Sequence, residues 1–489
     1  MENSTTVSAE NTASTSSLNP IDNNQRIQVM DLLRGFALIG ILFMNIEWFN
    51  RPINDLLSFD FQQTGGDWAA SWLVKVFIEG KFYKLFSLLF GMGFAVMLIR
   101  AQEVGRPFGA WFTRRMLALF LFGMCHLIFL WGGDILHDYA FAGLLLLGFV
   151  YLLRTKRFSK YNHATTYLKF GAWVIAFPLI ISIVVSLIFG VIRTDQVMTD
   201  DWHQQQTIIK QSDEQFEALK LDPNYLDLPE AEETEEAVEE DAVEEEMTAE
   251  ELFALEVKNT LEQKVEFERA RRDETIAFTQ GSYLEATVYR AKESLSKLAV
   301  TPIFGALICL PLFMIGYWLV ASERLKKPQE HQTFFNVLCW GGLAVGLLLS
   351  IAGVFITLHP AAQDAIELMA VGNTLSYYGQ LALAAGYLGA FVKLSSKAMF
   401  LKLFSWLSPL GKMALTNYIT HSIILTSIFY GYAGGMFGQI ARSEQMLLVV
   451  AIIVCQVIFC TFWLRYFRFG PLEWLWRSMT YLKRQPLKI

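Results

Sequence analysis

About ten runs of roughly 20 apolar residues, separated by short polar stretches, occupy most of this chain. Such a run has one comfortable solution in lipid. A backbone N–H or C=O there has no water to bond to, so the segment closes its hydrogen bonds internally as a helix. The runs lie at roughly 28–47, 70–99, 114–131, 135–153, 168–193, 300–321, 333–357, 374–394, 411–431 and 446–467. Hydrophobic residues make up 53% of the 489, and the mean hydropathy is +0.34. Ordinary soluble domains are less apolar. The expected fold class is all-α: a polytopic membrane bundle of about ten transmembrane helices.

Positive charge orients the bundle. Arg26, Arg100, Arg106, Arg114, Arg115, Arg154, Arg324, Lys393, Arg465, Arg477 and Arg484 fall on one set of flanks. The opposite loops are nearly free of Lys and Arg: 47–69 holds only Arg51, and 359–373 holds none. Both termini are then expected in the cytoplasm, in a bacterial inner (plasma) membrane. The span at 70–99 is long and carries Lys75, Glu79, Lys81 and Lys84, so its first half reads as interfacial or re-entrant.

Four regions follow. Residues 1–25, rich in Ser, Thr and Asn, read as a disordered tail with no cleavable signal peptide. Residues 26–193 are N-terminal membrane helices. Residues 194–299 are an acidic, partly helical and partly disordered extracytoplasmic insertion. Residues 300–489 are further membrane helices ending in a short cytoplasmic amphipathic tail. Within the insertion, 230–251 is mostly Glu without Lys or Arg, the pattern of a solvated linker or of a block that binds cations or a partner. Residues 247–272 show a partial helical stripe, and 279–298 reads as a second helix leading into the next span.

The five cysteines (Cys125, Cys309, Cys339, Cys455, Cys460) all sit in apolar runs, without ligand spacing or a disulfide framework. No Walker loop, dinucleotide fingerprint, HExxH or GxSxG motif is present. ATP-driven transport and the common soluble chemistries are therefore unsupported, and no metal or tightly bound cofactor is expected.

Polar residues inside or beside the spans carry the functional information. Asp31 and Arg34 are three apart in the first span and share a helix face. They read either as a buried pair with a function or as an interfacial anchor. The segment Trp131–Tyr139 is a tight hairpin between spans that crowds Asp134, His137, Asp138 and Tyr139 together. His137 is expected at the surface. His126, in the preceding span, is either a general base oriented by Asp134 or Asp31, or a hydrogen-bonded structural histidine. In the ninth span, Thr416, Asn417, Thr420 and His421 fall on one face, as helix glue or as pocket lining. After the last span, Pro471 starts a short helix with Glu473 and Arg477 at i, i+4 and two interfacial tryptophans, Trp474 and Trp476.

Together these segments resemble a known family. The runs DLLRGFALIGILFMNI (31–46), FSLLFGMGFA (86–95), WGGDILHDYA (131–140), GKMALTNYITHS (411–422) and FGPLEWLWR (469–477) resemble the YeiB-like family, domain of unknown function 418. That family is similar to the transmembrane acyltransferases, which include the lysosomal heparan-glucosaminide acetyltransferase. The shared Asp-x-x-Arg-Gly signature is matched by Asp31, Arg34 and Gly35. The resemblance implies acyl transfer from cytoplasmic acyl-CoA, acetyl-CoA in the simplest case, to an acceptor on the far side. The catalytic histidine of that relative follows the first helix. Residues 47–70 contain none here, so His126 or His421 has to take its place.

The leading expectation is thus a transmembrane acyltransferase. Its catalytic set is His126, Asp134 and Asp31. Arg34, Arg114, Arg115 and Arg477 hold the donor's phosphates, and Tyr139, Asn417 and His421 line the substrate site. The alternative is a transporter or channel for a small metabolite or ion, and a membrane scaffold or sensor is a third reading. Expected partners are the bilayer and a small-molecule or glycan acceptor, with no nucleic acid. Gly91-x-Gly93 and Gly341-Gly342 permit close helix packing, which leaves a homodimer open.

Overall fold

All ten apolar runs are helical in the computed structural model, which describes residues 28–53, 63–192, 195–227, 248–359 and 366–489. The tail at 1–25 and residues 230–247 of the acidic block lie outside the described residues, and 248–251 of that block start the helix Ala249–Thr279. The first half holds α1 (Gln28–Asn50), α2 (Gly65–Leu73), α3 (Lys81–Glu103), α4 (Gly109–Phe129), α5 (Leu136–Arg154) and α6 (Ala164–Ile192). The insertion contributes α7 (Asp195–Leu219), α8 (Ala249–Thr279) and α9 (Tyr283–Phe304). The second half holds α10 (Leu310–Ala321), α11 (Gln332–Thr357), α12 (Ile366–Leu394), α13 (Ala398–Leu403), α14 (Leu407–Lys412), α15 (Ala414–Phe429), α16 (Arg442–Tyr466) and α17 (Pro471–Tyr481). Among the described residues the one β pairing is an isolated bridge between Phe467 and Lys488.

Eight segments among the described residues are long and apolar enough to cross a membrane: 29–50, 65–103, 109–129, 136–154, 164–181, 283–321, 328–357 and 442–466. The runs read at 374–394 and 411–431 are helical as α12 and α15, the latter only 16 residues long. The protein is a multi-pass helical membrane protein. Its lipid side is legible on α16: Leu447, Val450, Val454, Ile458 and Phe462 form an exposed stripe, while Gln445, Val449, Ile452, Gln456 and Cys460 face inward.

The run at 70–99 is not one straight span. A five-residue π turn, Val74–Ile78, follows α2, and the chain then breaks at Glu79–Gly80 before α3. Gly80 has φ +77°, which glycine adopts without strain. Lys81 Nζ donates to the Lys75 carbonyl across the break, at 2.7 Å. A lysine and an interrupted helix thus satisfy each other where no water is at hand.

The helices of the insertion pack onto the bundle. Thr248 and Glu251 form a capping box that starts α8, and Ser282 and Glu285 form another that starts α9. Near the far end of α4, Arg290 donates to the Ile128 carbonyl (3.0 Å), Tyr283 to Phe129 (2.8 Å) and Lys297 to Gly132 (3.1 Å). The Ile128 and Phe129 carbonyls end α4 without a partner inside it, and α9 supplies the missing donors there and at Gly132 in the following loop.

Close backbone crossings draw the two halves together. A Cβ on Gly35 of α1 would collide with the Leu407 carbonyl, and one on Gly411 with the Asp31 carbonyl. Gly91 and Gly316 admit a similar crossing of α3 with α10, and Gly342 lies against Gly386 between α11 and α12. Gly91 and Gly342 therefore serve packing inside the chain. Overpacking a close-packed site costs about 1–3 kcal/mol. Gly35→Val is expected to lower the melting temperature of the detergent-solubilised protein by several degrees. Gly148→Ala, whose new methyl meets nothing within 4 Å, is expected to leave it unchanged.

Candidate functional site

A cavity of about 240 Å³ opens between α1, α3, α4, α5, α15 and α17. Along α1 its lining runs from Met30 to Ile41, and along α3 from Met97 to Phe86. Each stretch covers eleven residue steps, or about 16 Å at the rise of an α-helix. The cavity therefore reaches about halfway through a 30 Å hydrocarbon core.

One end is charged. Asp31, Arg34, Arg115, Lys412, Glu473 and Arg477 line it. Asp31 and Arg34 are paired at 3.2 Å, as their spacing predicts. The Arg115 guanidinium stacks 3.5 Å over the Trp476 ring, and its buried Nε has no hydrogen-bond partner among the described residues. The Arg477 guanidinium lies 4.4 Å from the Phe469 ring. Among the described lining residues, four cations stand against two carboxylates, and both carboxylates are engaged within the protein. Asp31 holds Arg34, while Glu473 caps α15. The Glu473 carboxylate accepts from the Leu415 N–H (2.7 Å), the Thr416 N–H (3.0 Å) and the Thr416 hydroxyl (2.6 Å). An anion at a helix N-terminus answers both the exposed donors and the dipole. The sequence placed Glu473 opposite Arg477, yet the carboxylate reaches across to another helix.

The middle of the cavity is apolar, with Leu38, Leu89, Phe90 and Leu119. Its far end is closed by Tyr139 and Tyr418. The Tyr139 hydroxyl donates to the Tyr83 carbonyl (2.9 Å) and accepts from Ser87 (3.0 Å).

Behind Tyr418 stands a buried polar relay. The His126 ring lies 5.0 Å from the Tyr418 ring, centroid to centroid. Its Nδ1 is 2.8 Å from Asp134 Oδ1, and its Nε2 is 2.6 Å from Ser422 Oγ. The other Asp134 oxygen accepts from the His137 backbone N–H (3.0 Å) and pairs with His137 Nδ1 (2.7 Å). Burial pushes the Asp134 carboxyl up, but hydrogen bonds from His126 and His137 hold it below the usual carboxylate range. An ionised Asp134 accepts only. In its neutral form His126 then carries its proton on Nδ1 and presents Nε2 as acceptor to the Ser422 hydroxyl. Gly123 admits this arrangement, since a Cβ there would crowd the His137 backbone at 2.5 Å and Asp134 Oδ2 at 2.8 Å.

The structure sorts the predicted residues. Asp31, Arg34, Arg115, Arg477 and Tyr139 line the cavity. His126 and Asp134 form the relay behind it, and Asp134, rather than Asp31, orients the imidazole. Arg114 is elsewhere: its Nε donates to the Thr480 carbonyl at 3.1 Å and holds α17 against α4. Asn417 and His421 turn to α16, Asn417 against Cys460 (3.2 Å) and His421 against Gln456 (2.7 Å). They join helices and do not line the cavity. His137, expected at the surface, is only 3% exposed beneath the insertion. Sequence reasoning did not single out Ser422, Tyr418 or Lys412, although all three sit in the quoted 411–422 motif.

Known proteins match this chain over nearly its full length. It is 30% identical over 481 residues to the uncharacterized protein YxaH of Bacillus subtilis (strain 168), covering 96% of this chain and 98% of that one. A family model described as "Protein of unknown function (DUF418)" matches residues 319–483. The chain belongs to the YeiB-like DUF418 family. It is also 24% identical over 470 residues to the uncharacterized protein YeiB of Escherichia coli (strain K12), covering 93% of this chain and 96% of YeiB. An uncharacterized 39.9 kDa protein encoded in the amylase 3′ region of Bacillus acidopullulyticus is 25% identical over 488 residues, covering 96% of this chain and 98% of its own. No solved structure matches. The DUF418 segment supplies Lys412, Tyr418, Ser422, Glu473 and Arg477, whereas Asp31, Arg34, Arg115, His126 and Asp134 come from outside it.

Burial pushes the Glu473 carboxyl up, the hydrogen bonds from Thr416 and Leu415 oppose this, and the net shift is upward. A carboxyl raised in the folded state contributes stability that is present below its unfolded value and is lost as pH rises through the folded value. The melting temperature of the wild type is therefore expected to fall relative to Glu473→Gln as pH rises out of the ordinary carboxylate range. Glu473→Ala is expected to lose about 0.5–2 kcal/mol, the usual worth of a cap, with the largest deficit at the acid end. Melts from pH 4 to 8 check both.

Proposed function

We propose that this protein is a transmembrane acyltransferase that takes its acyl group from cytoplasmic acyl-CoA and hands it to an acceptor on the opposite side of a bacterial inner membrane. The observation that carries this reading is the cavity. A cluster of Arg34, Arg115, Arg477 and Lys412 meets an apolar throat that ends beside a histidine held by a carboxylate. Arginine suits phosphate as a planar, always-charged donor. An apolar throat next to it suits the pantetheine arm and acyl chain of the same molecule.

His126 takes the part of general base. Its Nε2 is free of a proton when Asp134 holds Nδ1–H, and a positioned base contributes typically about 10²–10⁴-fold. Arg34, Arg115 and Arg477 take the donor's phosphates, and Tyr139 and Tyr418 bound the reacting end. The positive-charge bias of the flanks supports a cytoplasmic basic end and cytoplasmic termini. Acyl-CoA is a donor substrate in this reading and not a resident cofactor.

A ligand present at 100 times its dissociation constant stabilises a protein by about 2.7 kcal/mol. Thermal melts of the solubilised protein are expected to shift upward with acetyl-CoA or octanoyl-CoA and much less with ATP. Arg477→Ala and Arg115→Ala are expected to abolish most of the shift. Equal shifts with ATP and acyl-CoA would reduce the site to a phosphate-binding patch. No shift at all, in folded protein, would favour transport of a small metabolite or ion, to be tested by flux in liposomes.

A further inference from the structure

Three side chains from three segments form a chain of hydrogen bonds, Ser422 to His126 to Asp134, at 2.6 and 2.8 Å. All three are at least nine-tenths buried. The hydroxyl, imidazole and carboxylate stand in the order that turns a weak alcohol into a nucleophile. The base takes the hydroxyl proton, and the carboxylate fixes the tautomer and steadies the imidazolium that forms. Both ring nitrogens of His126 are engaged, one by the hydroxyl and one by the carboxylate. Here the orienting carboxylate is itself locked on its second oxygen by the backbone and ring of His137.

The position of the hydroxyl adds a second argument. Ser422 is one helical turn beyond Tyr418 on α15, and residues four apart share a face. It lies eight residues from the start of α15, about 12 Å inward from the Glu473 cap at the helix rise. The cavity thus ends at Tyr418 on one side of the relay, and α9 covers the 131–139 hairpin on the other. Without a carrier, a donor from the basic end and an acceptor from the opposite end would have to occupy the space beside one base at the same time. A covalent carrier between them removes that difficulty.

We infer that Ser422 is an acylated nucleophile and that transfer proceeds in two steps through an acyl-serine, an inference that rests on the acyl-CoA reading above. In the first step Ser422 Oγ bonds to the thioester carbonyl carbon and the carbon–sulfur bond breaks. The serine proton passes to His126 Nε2 and then to the departing thiolate, releasing free CoA. In the second step a hydroxyl or amine acceptor gives its proton to His126 and bonds to the acyl carbon. The ester bond to Ser422 breaks, and His126 returns the proton to Oγ. Tyr418 is the wall between the throat and Ser422, so turning its ring aside is the motion that admits the thioester.

The test is to incubate the purified full-length protein with acetyl-CoA or octanoyl-CoA, without acceptor, and to map acyl adducts by peptide mass spectrometry. Released CoA thiol and acyl-CoA-dependent melting are followed in parallel. An adduct on Ser422 is expected, absent in Ser422→Ala and formed about 10²–10⁴-fold more slowly in His126→Ala. Ser422→Cys is expected to keep an adduct that neutral hydroxylamine now strips, and it serves as the nucleophile test if the alanine variant does not fold. Binding of acyl-CoA without any adduct on residue 422 overturns the inference and leaves the donor site standing. Failure to bind acyl-CoA at all overturns both.

Discussion

The backbone of α1 lies directly against that of α14 because Gly35 and Gly411 have no side chains to hold them apart. The rest of the site depends on this crossing. It brings Asp31 and Arg34 beside Lys412 and ties the first helix of the chain to the segment that starts α15. In a bilayer, lipid tails are as apolar as leucine, so helices gain little from burying apolar faces against one another. Close approach through small residues is what holds them. The same device recurs where Gly91 and Gly316 cross α3 with α10.

With the helices in place, polar groups have to be satisfied among themselves. Asp134 accepts from both His126 and His137, Glu473 from the first turn of α15, and Arg290 and Lys297 donate to carbonyls around the end of α4. All of these except the local Asp134–His137 bond join separate segments, so the polar network also fixes how the helices are rotated. An unsatisfied buried group is costly, which makes alternative rotations unfavourable. The charged end of the cavity is different in kind. Its arginines are spread over α1, α4 and α17, and the two carboxylates among them are turned to Arg34 and to the start of α15. Arg34, Arg115, Lys412 and Arg477 thus line the same end of the cavity from α1, α4, α14 and α17.

Much of the architecture was legible before any coordinates. Hydropathy located the helices, and the lysines and glutamate of 75–84 marked the interrupted run that breaks at Gly80. The partial stripe of 247–272 and the helix read at 279–298 also hold. Part of the site was legible too. The three-residue spacing of Asp31 and Arg34 forecast their ion pair, and the crowding of Asp134 near His126 in the chain forecast theirs. Residues 230–247 of the acidic block lie outside the described residues. What misled was context: His137 sits in a glycine-bearing hairpin, a pattern that reads as exposed, but the hairpin folds back against Gly123 of α4 and the ring pairs with Asp134. Asn417 and His421 share a helical face, but periodicity does not say whether that face meets a cavity or a neighbouring helix.

By itself, the sequence determined the helical membrane class, the approximate spans, the family and the pairs formed within a few residues. These follow from local periodicity, length and charge, which the chain carries wherever it folds. The tertiary structure alone decided that Ser422 meets His126 across 296 positions, that Arg115 rather than Arg114 faces the cavity, and that Glu473 caps a helix 58 residues upstream. Those pairings depend on how far each helix is turned and shifted against its neighbours. That is set by close packing between segments remote in sequence, and no local pattern encodes it.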